Sequence, residues 1–192
     1  MTAIDYPALS NMVRDALRAS FSDLLASNPD RTFYAFAVFT DDSLQFAYPV
    51  ANTEEGLAAT VRRYNQEVDP KLGITSTRNN MRWSYGDWEF FPDVGQRHFQ
   101  RINELLGENF CAEEDEFEQQ IEPLWQAMLD GFLELEREGF FGTGEPRSKI
   151  TLLVVGHVPD EIADQWITVL NPPEVATKCL EWDADAPDDT VA

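Results

Sequence analysis

Two stretches constrain this chain more than any others: TFYAFAVFT at residues 32–40 and KITLLVVGHV at residues 149–158. Both are near-continuous apolar runs rich in aromatic or β-branched residues. Neither alternates polar and apolar positions as a strand with one wet face does. The first reads as a central strand whose sheet is covered on two sides, and the second as a strand of the same apolar kind. Helices elsewhere in the chain have to supply the covers.

The remaining periodicities supply them. Leu9, Val13, Ala16, Leu17, Phe21 and Leu24 recur at three- and four-residue steps, which predicts a helix over 4–27 ended by Asn28-Pro29-Asp30. Asp41-Asp42-Ser43 is a turn, and LQFAYPV reads as a second strand antiparallel to the first, with Pro49 at its end or on an edge. Asn52 followed by Glu55 reads as the cap of a helix that runs to about residue 68. Residues 71–92 read as irregular, with strand potential near Met81 to Ser84, and a helix is expected from about 94 to 110. The clearest helix is EEDEFEQQIEPLWQAMLDGFLELERE. Phe117, Ile121, Leu124, Trp125, Met128, Phe132 and Leu135 form one apolar stripe there, and Pro123 either starts or kinks it. A short helix to about Leu170 and a last one, capped by Asn171 with Pro172 at its first position, complete the set. The order predicts an α+β fold: a single domain over 1–182, with a small mixed or mostly antiparallel sheet covered by helices. Residues 183–192 read as an acidic, flexible tail.

Charge narrows the partners. The 192 residues carry a formal charge of −21, and residues 101–145 alone hold 13 acidic and 2 basic side chains, a net of −11. Nucleic acid and anionic membrane repel such a chain, because it has few cations to displace their counterions. A basic protein is attracted. No segment reads as a signal peptide, and no run reaches the length of a membrane span, so the cytoplasm is the expected compartment.

Reactive chemistry has little support. His98 follows Arg97 on a helix, while His157 ends an apolar strand shortly before Asp160 and Glu161. An acid–base pair of His157 with Asp160 is conceivable there, but a polar residue leaving the core is the simpler reading. No catalytic residue, metal set or cofactor is assigned: the two cysteines, Cys111 and Cys179, form no cluster, and Gly142-Thr143-Gly144 falls short of a phosphate loop. Glu113, Glu114, Asp115, Glu116, Glu118 and Glu122 are the candidate partner-binding residues. They head an anionic ridge that continues through Asp130, Glu134, Glu136 and Glu138, although carboxylates also suit the first turn of any helix. Trp83 and Trp88, in MRWSYGDWEF, are secondary candidates. The Gly86-Asp87 turn should fold both onto one core, with Asp87 or Glu89 accepting from an indole N–H.

FYAFAVFTDD, YPVANTEEGL, the tryptophan pair of MRWSYGDWEF and the distal WITVLNP together resemble the DUF4303 family, from about Arg31 to Pro172. The resemblance implies a standalone bacterial domain and carries no catalytic residues across. By analogy with small acidic bacterial domains, it suggests an immunity protein, which would block a basic toxin such as a nuclease. The expected function is thus non-enzymatic binding. The alternative is a small-molecule enzyme or ligand-binding domain with a pocket near Trp83, Trp88 and His157.

Overall fold

A computed structural model describes residues 4–68, 73–92, 94–109 and 114–182. Its elements follow in the order α1 (Tyr6–Ser27), β1 (Phe33–Asp41), β2 (Tyr48–Thr53), α2 (Glu54–Glu67), α3 (Ile74–Arg82), α4 (Gln96–Asn109), α5 (Glu114–Arg137), β3 (Thr151–His157), α6 (Asp160–Leu170) and α7 (Pro173–Leu180). The fold is α+β. The sheet is mixed, in the order β2-β1-β3, with β1 antiparallel to β2 and parallel to β3.

The apolar strands sit where their composition requires. On one face of the sheet Phe36, Val38, Leu152 and Val154 pack with Leu17, Phe21, Phe132 and Trp166 from α1, α5 and α6. On the other, Ala35, Ala37, Leu153 and Val155 pack with Leu57 and Val61 of α2, Trp88, and Ala176 of α7. Helix α5 lies so close to α1 that a Cβ on Gly131 would stand 2.5 Å from the Ser10 carbonyl oxygen. Pro123 lies inside α5 and does not start it.

Both sheet edges are closed by short pairings, which blunts the tendency of free strands to recruit other chains. Phe90 makes an isolated antiparallel bridge to Ala51 on the β2 edge. On the β3 edge the side chain of Asn171 takes the place of a strand. Its amide oxygen accepts from Leu152 N–H at 2.8 Å and its amide nitrogen donates to Leu152 C=O at 2.6 Å.

Three sequence expectations change. Asn171 is not the N-cap of α7 but the C-cap of α6: extended backbone before Pro172 turns its side chain to the sheet, and α7 begins with Pro172 as N-cap and Pro173 as first residue. Asn52 is not a cap either. The α2 cap is Thr53, whose hydroxyl accepts from Gly56 N–H at 3.0 Å, while Asn52 is buried at the end of β2. Residues 74–82, expected to be irregular, form α3 although Thr77 is its one buried residue. Tertiary ion pairs hold it: Arg78 and Arg82 both bond the Glu54 carboxylate at the start of α2.

Candidate functional site

Two concave features lie on opposite sides of the sheet. The first runs between α5 and α6. Phe117, Ile121, Trp125 and Leu129 line one wall, and Ile162 and Trp166 line the other, enclosing about 550 Å³. Trp125 and Trp166 meet edge to face at 6.1 Å in its floor. Among the described residues, the charged ones of its lining are Asp42 and Glu122, both exposed, with no Lys or Arg. The stripe that buries α5 thus extends past the core and leaves part of its apolar surface open to this groove.

The acidic ridge divides into a paired half and an unpaired half. Toward the C-terminus of α5, Glu134 pairs with Arg14 at 3.1 Å, Glu136 with Arg147 at 2.8 Å, and Glu138 with Arg18. Those carboxylates tie α5 to α1 and to the turn before β3. Toward the N-terminus, Glu118 and Glu122 are exposed and have no cationic partner among the described residues. Asp130 is likewise exposed and, among the described residues, accepts only from Gln126. Glu114, Asp115 and Glu116 form the first turn of α5, and Glu113 lies outside the described residues.

The second feature is a cleft of about 470 Å³ at the other end of the sheet, where Tyr34, Arg82, Trp83, Lys149, Lys178 and Trp182 converge. A bulge in β1 builds it. The register slips between Phe33 and Ala35, so Tyr34 and Ala35 both belong to the core face under α2 and α7. The Tyr34 hydroxyl then donates to Arg82 C=O at 2.7 Å and accepts from the Asn52 side-chain amide at 2.8 Å. The Arg82 guanidinium lies 4.0 Å over the Tyr34 ring and within 6 Å of both the Trp83 and Trp182 rings.

The aromatic stretch MRWSYGDWEF divides between core and cleft. Trp88 is 4% exposed, and its indole donates to Arg82 C=O at 3.2 Å rather than to Asp87 or Glu89. Those two carboxylates are engaged elsewhere: Asp87 with Arg63, Ser84 and the Tyr64 hydroxyl, Glu89 with Arg31 and Thr53. Trp83 is half-buried and walls the cleft, and its buried indole N–H has no acceptor among the described residues. His157 does not join them. It is exposed at the far end of β3, opposite Asp41, while Thr151 at the near end lines the cleft. Six residues of strand put roughly 20 Å between them. His98 is also remote, sharing the exposed Asp23 carboxylate with Arg97, and the hydrogen bond from His98 holds that carboxyl below its ordinary value.

The Tyr34 phenol and the Cys179 thiol of the cleft are set against reaction. Burial pushes the Tyr34 hydroxyl well above the ordinary phenol range and the Cys179 thiol up to about 11. A raised thiol pKa means the protonated, unreactive form prevails across neutral pH, with reactivity returning only in alkali. Iodoacetamide should therefore alkylate Cys179 roughly 100-fold more slowly at pH 8 than a free thiol of ordinary pKa. Peptide mass spectrometry of timed reactions checks this, and a rate equal to that of a free thiol would contradict it.

The sequence suggested a pocket near Trp83, Trp88 and His157; Trp83 lines the cleft, and Trp88 and His157 do not. The walls of the cleft come from four separated stretches, at residues 32–34, 82–83, 148–151 and 174–182, plus Glu54. No described helix is long and apolar enough to cross a membrane. No curated protein and no solved structure matches the chain. Residues 13–172 match DUF4303, described as a domain of unknown function. With most of its length so matched, the chain belongs to the DUF4303 family.

Proposed function

We propose that this protein is a non-enzymatic, acidic binding module of the immunity type, which neutralises a basic toxin, for example a nuclease, by occlusion in the cytoplasm. The observation that carries the reading is the α5–α6 groove, an apolar trough whose charged lining residues, Asp42 and Glu122, are both acidic. Interfaces of moderate affinity combine a desolvated apolar centre with a polar rim, and a groove of this make-up offers both. Negative potential from Glu118, Glu122 and Asp130 accelerates encounter with a basic surface. Side chains seated against Ile121, Ile162 and the Trp125–Trp166 floor then slow dissociation. The raised thiol and phenol of the cleft, and the isolation of His157, favour binding over turnover.

The test begins with a cognate toxin, identified as the basic protein that co-purifies from the native cell and whose activity the chain suppresses. Reversing Glu118, Glu122 and Asp130 together to lysine should lower its association rate at low salt by about 10-fold or more, and the gap should narrow as salt is added. Ile121→Ala with Ile162→Ala should act instead on the dissociation rate. Unchanged kinetics in both variants, measured by surface plasmon resonance, would remove the groove from the interface.

A further inference from the structure

The cleft beside Tyr34 inverts the charge balance of the chain. Acidic residues outnumber Lys and Arg 35 to 14 overall, yet this lining holds Arg82, Lys149 and Lys178 against Glu54 and Glu174. Glu54 is committed to Arg78 and Arg82. Lys178 is exposed and has no carboxylate partner among the described residues. Lys149 is paired only with Glu145, both side chains being more than two-thirds exposed, and such a pair is weak enough to exchange for another anion.

Aromatic surface stands next to these ammonium groups. Trp83 and Trp182 meet edge to face at 5.9 Å, and Tyr34 packs on Trp83 at 5.8 Å. The Trp182 indole is anchored by donation to Asn79 C=O at 3.1 Å, which fixes its ring at the cleft. The Trp83 N–H is buried and has no acceptor among the described residues, an uncommon condition in a folded interior. A volume of about 470 Å³ suits a small molecule.

We infer that this cleft binds a small planar aromatic anion, its ring held against Trp83 and Trp182 and its phosphate or carboxylate held by Lys149 and Lys178. The site is separate from the α5–α6 groove, so it neither requires nor excludes a protein partner there. Recognition divides between the two halves of the ligand: the indoles supply contact area that is tolerant of ring identity, and the lysines require the charge.

The experiment uses the full chain, ¹⁵N-labelled, titrated with four probes: adenosine 5′-monophosphate, adenosine, indole-3-acetate and indole. At least one of the two anions should shift the Trp83 and Trp182 indole N–H resonances with a Kd below about 1 mM, and its uncharged counterpart should bind at least about 10-fold more weakly. Preference between the phosphate and the carboxylate probe identifies the head group. The surface variant Lys149→Ala/Lys178→Ala should reduce the anion to the affinity of the neutral probe, with an unchanged melting temperature showing that the fold is retained. Trp182→Ala should weaken charged and neutral probes alike. The inference is overturned if no probe shifts either indole at about 5 mM, if anion and neutral probe bind equally, or if the double lysine variant binds as the parent does. Shifts confined to Trp125 and Trp166 would assign the ligand to the other groove and overturn it as well.

Discussion

Replacing Arg147 with methionine should destabilise the protein by about 3–5 kcal/mol, among the largest effects available to a single side chain here. Arg147 is 4% exposed, and its guanidinium joins three segments of the chain. It donates to Glu136 of α5 at 2.8 Å, to Ile150 C=O just before β3, and to Leu170 C=O and the Asn171 side chain, at 2.8 and 3.2 Å, between α6 and α7. Methionine preserves much of the apolar stem and removes every donor. The cost follows from what remains: a mostly buried carboxylate whose second oxygen already lacks a partner among the described residues, and backbone carbonyls shut away from water. Asn171 loses one of the contacts that orient it, so the β3 edge loosens too. A second variant separates the pair from the network. Adding Glu136→Leu to Arg147→Met removes the orphaned charge, and guanidinium chloride midpoints should show the double variant recovering part of the loss. A double variant as unstable as the sum of its single changes would mean that the ion pair is not the coupled unit.

How much of this was legible in the sequence depends on the distance over which each feature is determined. Strand β1, strand β3 and helices α1 and α5 announce themselves, because an apolar run or a three-to-four periodicity is a local record of which faces are buried. Helix α3 does not. ITSTRNNMR has a single buried residue, and the segment is helical where Arg78 and Arg82 find Glu54, some 24 to 28 positions away. The acids of α5 were visible as a ridge, but their division was not. Arg14 and Arg18 stand 120 positions before Glu134 and Glu138, and only the packing of α1 on α5 turns those glutamates inward to pairing. Asn52 and Asn171 show the same limit at closer range. Each sits where a helix is about to begin, so the capping rule applies locally, yet each amide instead bonds across elements, to Tyr34 and Glu89 in one case and to Leu152 and Arg147 in the other. The cleft follows from a bulge at Tyr34 that no residue type in FYAF marks. Gly86-Asp87 does turn both tryptophans onto one cluster, but their division into one core residue and one cleft wall depends on α7 and Trp182 closing over them.

Substituting Gly156 with alanine should cost a comparable 3–5 kcal/mol, by a different route. Gly156 lies in β3 opposite Thr40 of β1, with φ at +127°, a region that residues with a Cβ avoid. A Cβ built there would stand 1.9 Å from the Thr40 carbonyl oxygen, well inside contact distance. The strained backbone contributes about 1–3 kcal/mol and the forced separation of two paired strands about as much again. Relief by rotation of a flexible neighbour is not open, because the obstructing atom is backbone. For a chain of this size the melting temperature should fall by about 6–20 °C. The consequence reaches the proposed binding groove through geometry. The end of β1 is followed by Asp42 on the rim of the acidic groove, and the end of β3 leads through Pro159 into α6, which forms one wall. Spreading the strands at Thr40 and Gly156 should therefore loosen the groove before it disturbs the cleft at the other end of the sheet. Hydrogen exchange should show lost protection first at Val155 to His157 and in α6, while Tyr34, Asn52 and Trp83 retain theirs at temperatures below the transition. Loss of protection beginning instead around Tyr34, or a melting temperature unchanged from that of the parent chain, would show that the close approach at Gly156 does not hold the two strands in register.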